Sequence, residues 1–127
     1  MGQYWVIHSS GGTSSVGSDN YYRLVGSGND QPDEGPRMRL YVDDSYTARR
    51  LYIRVHSNTG SNPNILYFRL NSGNGNQSIS IPAGTTGHFW DGSNSDSIVD
   101  GDYINAFVDF AGTTMNAATM RLRYVTV

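Results

Sequence analysis

A chain of 127 residues, 37% hydrophobic and 16% charged, is long enough for one two-layer core and too short for two comfortable ones. A formal net charge of −2 argues against a domain that binds nucleic acid by neutralising phosphates. The absence of cysteine excludes disulfides, thiolate metal sites and a cysteine nucleophile.

In chain order, the first alternating segment is Tyr4 to His8, followed by a Gly/Ser loop from Ser9 to Ser18 and a strand around Tyr21 to Val25. Residues 1–10 lack the basic-then-apolar pattern of a secretory signal, and nowhere do about 18 apolar residues run together. The expectation is a chain that neither carries a standard export signal nor spans a membrane. Gly2 meets the first requirement of myristoylation, but Val6 stands where that motif takes Ser or Thr.

The loop from Gly26 to Pro36 is dense in turn formers, among them Asp30, Pro32, Asp33, Glu34 and Gly35. Strands are then predicted near Arg37 to Val42, Arg49 to His56, Ile65 to Asn71, Gln77 to Ile81, Gly87 to Trp90, Tyr103 to Phe110 and Thr119 to Val127. No window holds a capped helical period, which leaves at most one turn near Asp43 to Thr47. Hairpins are signalled at Asn71 to Asn76, with its Gly-Asn-Gly core, and at Pro82 to Gly87, while Gly101-Asp102 reads as a tight turn. About eight to nine short strands with Asn-, Gly- and Asp-rich connections predict an all-β fold, an antiparallel β-sandwich or jelly roll, as a single domain over residues 1–127.

The residues that could carry chemistry form no recognised constellation. His8, His56 and His88 lie on separate segments without the i, i+2 or i, i+4 partner of a metal pair. Glycoside hydrolysis needs two carboxyl groups poised across a sugar, yet Glu34 is the sole glutamate and sits among turn residues. Asp91, Asn94, Asp96, Asp100 and Asp102 could gather oxygen ligands for calcium, but their spacing is not that of an EF-hand and fits a solvated turn better. No Gly-x-Ser-x-Gly elbow or phosphate loop is present. The expectation is a non-enzyme with no cofactor and no metal.

One pattern stands out. All nine basic residues are arginine, a side chain suited to planar, desolvated contacts. In the strand pattern, Leu51, Ile53 and Val55 alternate with Arg50, Tyr52, Arg54 and His56, and Leu66, Phe68 and Leu70 with Tyr67 and Arg69. Met120, Leu122 and Tyr124 likewise alternate with Arg121 and Arg123. Arg37, Arg39, Tyr41, Arg50, Tyr52, Arg54, Tyr67, Arg69, Arg121 and Arg123 are therefore expected opposite the core, as a partner-binding surface of interface-favoured residue types. Trp5, Trp90 and several tyrosines offer a competing use, as platforms for a sugar ring.

From Arg37 onward the chain resembles small jelly-roll decoration or cement proteins of tailed-phage capsids, an architecture shared with C1q/TNF-like domains. The resembling features are the strand pair Arg49 to Val55 and Ile65 to Leu70, the Asn71 to Asn76 turn, Ser78-Ile79-Ser80-Ile81 with Ala83-Gly84-Thr85, and Gly101-Asp102-Tyr103-Ile104. The resemblance implies a non-enzymatic virion protein on the capsid surface, a homotrimer partnered by the major capsid protein, with neither nucleic acid nor membrane as partner. A carbohydrate- or receptor-binding β-sandwich module, as at a phage fibre tip, is the alternative.

Overall fold

The computed structural model describes the backbone of residues 4–10, 13–14, 20–22, 24, 26–27, 34–110 and 115–126, and the side chains of 21, 22, 24, 34–110, 115, 122 and 123. Every regular element there but one is a strand. In order these are β1 (Tyr4–Ser10), β2 (Thr13–Ser14), β3 (Asn20–Tyr22), β4 (Gly26–Ser27), β5 (Leu40–Tyr41), β6 (Tyr46–Asn58), β7 (Asn64–Leu70), β8 (Gly73–Ile81), β9 (Gly87–Trp90), β10 (Ser95–Ile98), β11 (Tyr103–Asp109) and β12 (Met115–Thr126). The exception is a 3-10 turn at Pro36–Met38.

Two sheets form. In the first the order is β10-β6-β12-β1-β4, with β9 also pairing β6 and β2 pairing β12; in the second it is β3-β11-β7-β8, with β5 pairing β11. All pairs are antiparallel except β1 with β4. Because side chains alternate along a strand, Leu51, Ile53 and Val55 of β6 and Leu122 of β12 all point to one side. There they join Leu66 and Phe68 of β7, Ile79 and Ile81 of β8, and Ile104, Ala106 and Val108 of β11 in one buried cluster. The molecule is thus a β-sandwich, in which each buried aliphatic side chain contributes about 1.5 to 3 kcal/mol.

β6 carries a bulge that sets the geometry of its outer face. Between the pairs Arg49↔Arg123 and Tyr52↔Arg121, β6 has one residue more than β12, and Arg50 takes a left-handed φ of 55°. Arg49 and Arg50 are consequently both exposed between buried Ala48 and Leu51. The ladder interrupted at the bulge is completed by a side chain from the other sheet. Gln77 of β8, fully buried, accepts the Leu51 amide at 3.0 Å and donates to the Ala48 carbonyl at 3.2 Å. Asp96 of β10, also buried, in turn accepts from Gln77 Nε2 at 3.1 Å and from the Asn76 amide at 2.6 Å.

Several expectations are corrected. Arg37 to Val42 is not a continuous strand: Pro36, with its fixed φ, opens the 3-10 turn, and only Leu40–Tyr41 pairs. No helical turn forms near Asp43 to Thr47, where β6 begins at Tyr46. The hairpin between β7 and β8 turns at Asn71 and Ser72, whose φ values of 50° and 65° suit a two-residue mirror-image turn. Its glycines lie inside β8 instead. Gly75 permits close packing there, since a Cβ would stand 2.7 Å from Asp96 Oδ1 and 2.8 Å from Phe68 Cδ1. Pro82 to Gly87 does carry positive φ at Gly84 and Gly87, but it leads from one sheet to the other and closes no hairpin. The stretch from Asp91 to Asp102 contains β10, whose Asp96 and Ile98 both face inward. The predicted loop 9–18 holds the end of β1 and β2, the predicted loop 26–36 holds β4, and the rest of them up to residue 33 lies outside the described residues.

Candidate functional site

The ten Arg and Tyr positions do not share one surface. β6 and β7 follow each other in the chain but enter different sheets, so Arg50, Tyr52, Arg54, Arg121 and Arg123 belong to the first sheet. Tyr41, Tyr67 and Arg69 belong to the second. Arg37 is exposed on the 3-10 turn and Arg39 just follows it. Trp5, His8 and Arg121 have side chains outside the described residues.

On the second sheet the basic side chains are engaged within the chain. Arg69 forms a two-point ion pair with Glu34, Nε to Oε1 at 3.2 Å and Nη2 to Oε2 at 2.8 Å, with only 13% and 11% of the two side chains exposed. Its remaining donors reach Asn74 Oδ1 at 2.8 Å and the Ser72 carbonyl at 2.6 Å, both at the β7–β8 turn. Burial works to raise the Glu34 carboxyl pKa, but the hydrogen bond and charge of Arg69 outweigh it and hold that pKa below its usual value. Buried Asn105 favours the charged Glu34 in the same direction without a hydrogen bond of normal geometry. Arg39 lies 4.3 Å over the Tyr103 ring, and Tyr67 stacks on Phe107 at 6.3 Å. Arg69 is thus a tie between the loop ahead of β5 and the hairpin, a role that strand alternation by itself could not reveal.

The outer face of the first sheet has the opposite character. Across β9, β6 and β12 the register places Trp90↔Tyr52↔Arg121 in one row and His88↔Arg54↔Thr119 in the next. Arg49 and Arg123, both exposed, stand directly opposite each other, an arrangement of like charges that weakens a strand pair. Arg49, Arg50 and Arg54 form no ion pair among the described residues. The Tyr52 hydroxyl meets His88 Nδ1, and Trp90 remains 57% exposed. Asp96, the only acid in the strands of this sheet, points inward.

Beside this face an open groove of about 420 Å³ runs between β8 and β9, walled by Ser78, Ser80, His88, Trp90 and Asn94. Its far wall is rigid because Asp91 accepts four hydrogen bonds, from the amides of Ser78, Ser93 and Asn94 and from Asn94 Nδ2, all at 2.9 to 3.0 Å. Burial pushes the Asp91 carboxyl up, and these donors more than reverse it, so its pKa falls below the usual value. Asp102 is lowered too, by the Val99 amide and by Asn71.

Three of the four acids weighed as calcium ligands have structural partners: Asp91 and Asp96 cap backbone amides along the free edge of β8, and Asp102 closes the turn before β11, while Asp100 is exposed. Among the described residues no three His, Asp or Glu side chains are placed to hold a metal. Sequence reasoning missed Gln77, although a polar residue in phase with inward Ile79 and Ile81 was the available signal. Neither a protein-family model nor a curated protein matches the chain, so its functional reading rests on these surfaces.

Proposed function

We propose that this protein is a non-enzymatic structural subunit, a capsid decoration or cement protein that assembles with copies of itself on a virion surface. The observation that carries the reading is the outer face of the first sheet. It presents arginines together with Tyr52 and exposed Trp90, with no outward acid in its described strands, on a protein whose net charge is negative. Arg, Tyr and Trp are the residue types that dominate binding energy at protein interfaces. The repeated crossing of the chain between the two sheets, at β6–β7, β8–β9, β10–β11 and β11–β12, supports the jelly-roll form of the sandwich. Function of this kind is complementarity of shape and charge, with no chemical turnover, and the major capsid protein is the expected lattice partner. Co-sedimentation of the purified chain with tailed-phage capsids tests it. Saturable, salt-sensitive retention on particles is expected, and a chain that stays in the supernatant at every salt concentration would overturn the reading.

A second reading, a carbohydrate-binding module, is favoured by the Trp90 groove, where an exposed indole borders a wall of serine hydroxyls and an asparagine. Selective binding on a glycan array, abolished by Trp90→Ala, would favour it over the structural role.

A further inference from the structure

The basic face is concentrated by construction. The strands of the first sheet hold five of the nine arginines, Arg49, Arg50, Arg54, Arg121 and Arg123, and the single acid Asp96 is buried under hydrogen bonds. The β6 bulge turns two consecutive arginines outward, at the cost of a left-handed Arg50 and of the Arg49↔Arg123 juxtaposition. Local features that cost stability and serve no packing role are the kind found at functional surfaces.

A second patch has the complementary character. The Val42 amide donates to the Asp102 carbonyl at 2.8 Å and the Gly101 amide to the Val42 carbonyl at 2.9 Å, which locks the turns 42–45 and 99–102 together at one end of the sandwich. Asp43, Asp44 and Asp100 are exposed on those turns and form no ion pair among the described residues. Tyr41 and Val99, 60% and 55% exposed, flank them. The large exposed hydrophobics among the described residues are thus divided between the two patches, Trp90 with the arginines and Tyr41 and Val99 with the aspartates. Each patch combines an apolar anchor with a single sign of charge.

We propose that the outer face of the first sheet receives the acidic 42–45/99–102 end of a second copy of this chain. Within one copy no ion pair joins these aspartates to these arginines among the described residues. Between copies the same groups can meet, with Trp90 against Tyr41 or Val99 and arginines against aspartates. Since the two patches differ, the contact is heterologous, and repetition of it closes a ring or propagates a filament. The inference rests on the reading of a self-assembling subunit and adds which surfaces meet.

Sedimentation velocity on the full chain tests it at about 0.1 M salt and at about 1 M, where the screening length falls from about 10 to about 3 Å. A discrete ring or a distribution of filament lengths is expected at low salt, dissociating at high salt. Arg49→Glu with Arg54→Glu should abolish it, as should Asp43→Arg with Asp100→Arg, while the four substitutions together restore complementarity and assembly. Near-UV circular dichroism checks that each variant keeps the native fold, and the neutral pair Arg49→Gln/Arg54→Gln, expected to weaken association more than about tenfold, serves if the charge-reversed pair does not fold. A monomeric native chain, a double variant that still assembles, or a four-fold variant that stays monomeric would each overturn the proposal. Particle binding is scored separately. An oligomer that ignores capsids overturns the decoration reading alone, and a monomer that coats them overturns only this inference.

Discussion

Gln77 Oε1 accepts the Leu51 amide at 3.0 Å, joining the two sheets through the buried interior at the point where the β6 ladder is broken. One side chain meets an acceptor need, a donor need and the Asp96 carboxylate, so the bulge that exposes Arg49 and Arg50 depends on it. Replacing Gln77 by Leu keeps the volume roughly similar and strands the Leu51 amide and Ala48 carbonyl in the core. Each buried orphan costs about 1 to 3 kcal/mol, so a loss on the order of 3 kcal/mol is expected in denaturant unfolding. A loss below about 1 kcal/mol would mean that water or a backbone shift takes over the role of Gln77.

Gly75 is a packing glycine. The methyl of Gly75→Ala would press on Asp96 and on Phe68, which is fully buried, so neither neighbour can swing into solvent. Overpacking of this kind costs about 1 to 3 kcal/mol. Gly73→Ala, whose nearest neighbour would be the Leu70 carbonyl at 3.5 Å, is the control and is expected to melt close to the native chain.

Acid should destabilise the fold through Glu34 and Asp91. Both carboxyls have pKa values lowered in the folded state, so each contributes stability that is present above its unfolded value and lost as pH falls through its folded one. Thermal melting is therefore expected to be flat at neutral pH and to decline once pH drops below about 4, the ordinary carboxylate range. In Glu34→Gln and Asp91→Asn that decline should be shallower and the neutral-pH melting temperature lower. An identical acid profile in both variants would assign the sensitivity to other groups.

Arg69 and Arg54 should behave differently although both alternate with core residues. Arg69→Ala leaves the largely buried Glu34 carboxylate without its cation and unties the Asn71–Ser72 turn, for an expected loss of about 2 to 3 kcal/mol. Arg54 is exposed and has no ion pair among the described residues, so Arg54→Ala should shift unfolding by less than about 0.5 kcal/mol. Urea titration of the two variants measures both. Equal effects would remove the distinction between the two outer faces.

Local pattern alone was enough to establish the β class and most strand positions, because inward Leu51, Ile53 and Val55 and outward Tyr52 and Arg54 follow from a two-residue period. Turn chemistry likewise marked turns at Pro82 to Gly87 and at Gly101-Asp102, where Gly84, Gly87 and Gly101 take positive φ. Only the tertiary structure decided which sheet each strand enters, since β6 with β7 and β8 with β9 are neighbours in sequence and opposed in space. That choice rests on contacts between distant residues, which alternation does not encode. It separates Arg54 from Arg69, and it turns Asp96 from a loop acid into a buried cap on β8. The same non-local pairing sets Arg49 against Arg123 and leaves the aspartates at the end of the sandwich, so the charge asymmetry hidden in a net charge of −2 becomes visible only once the strands are paired.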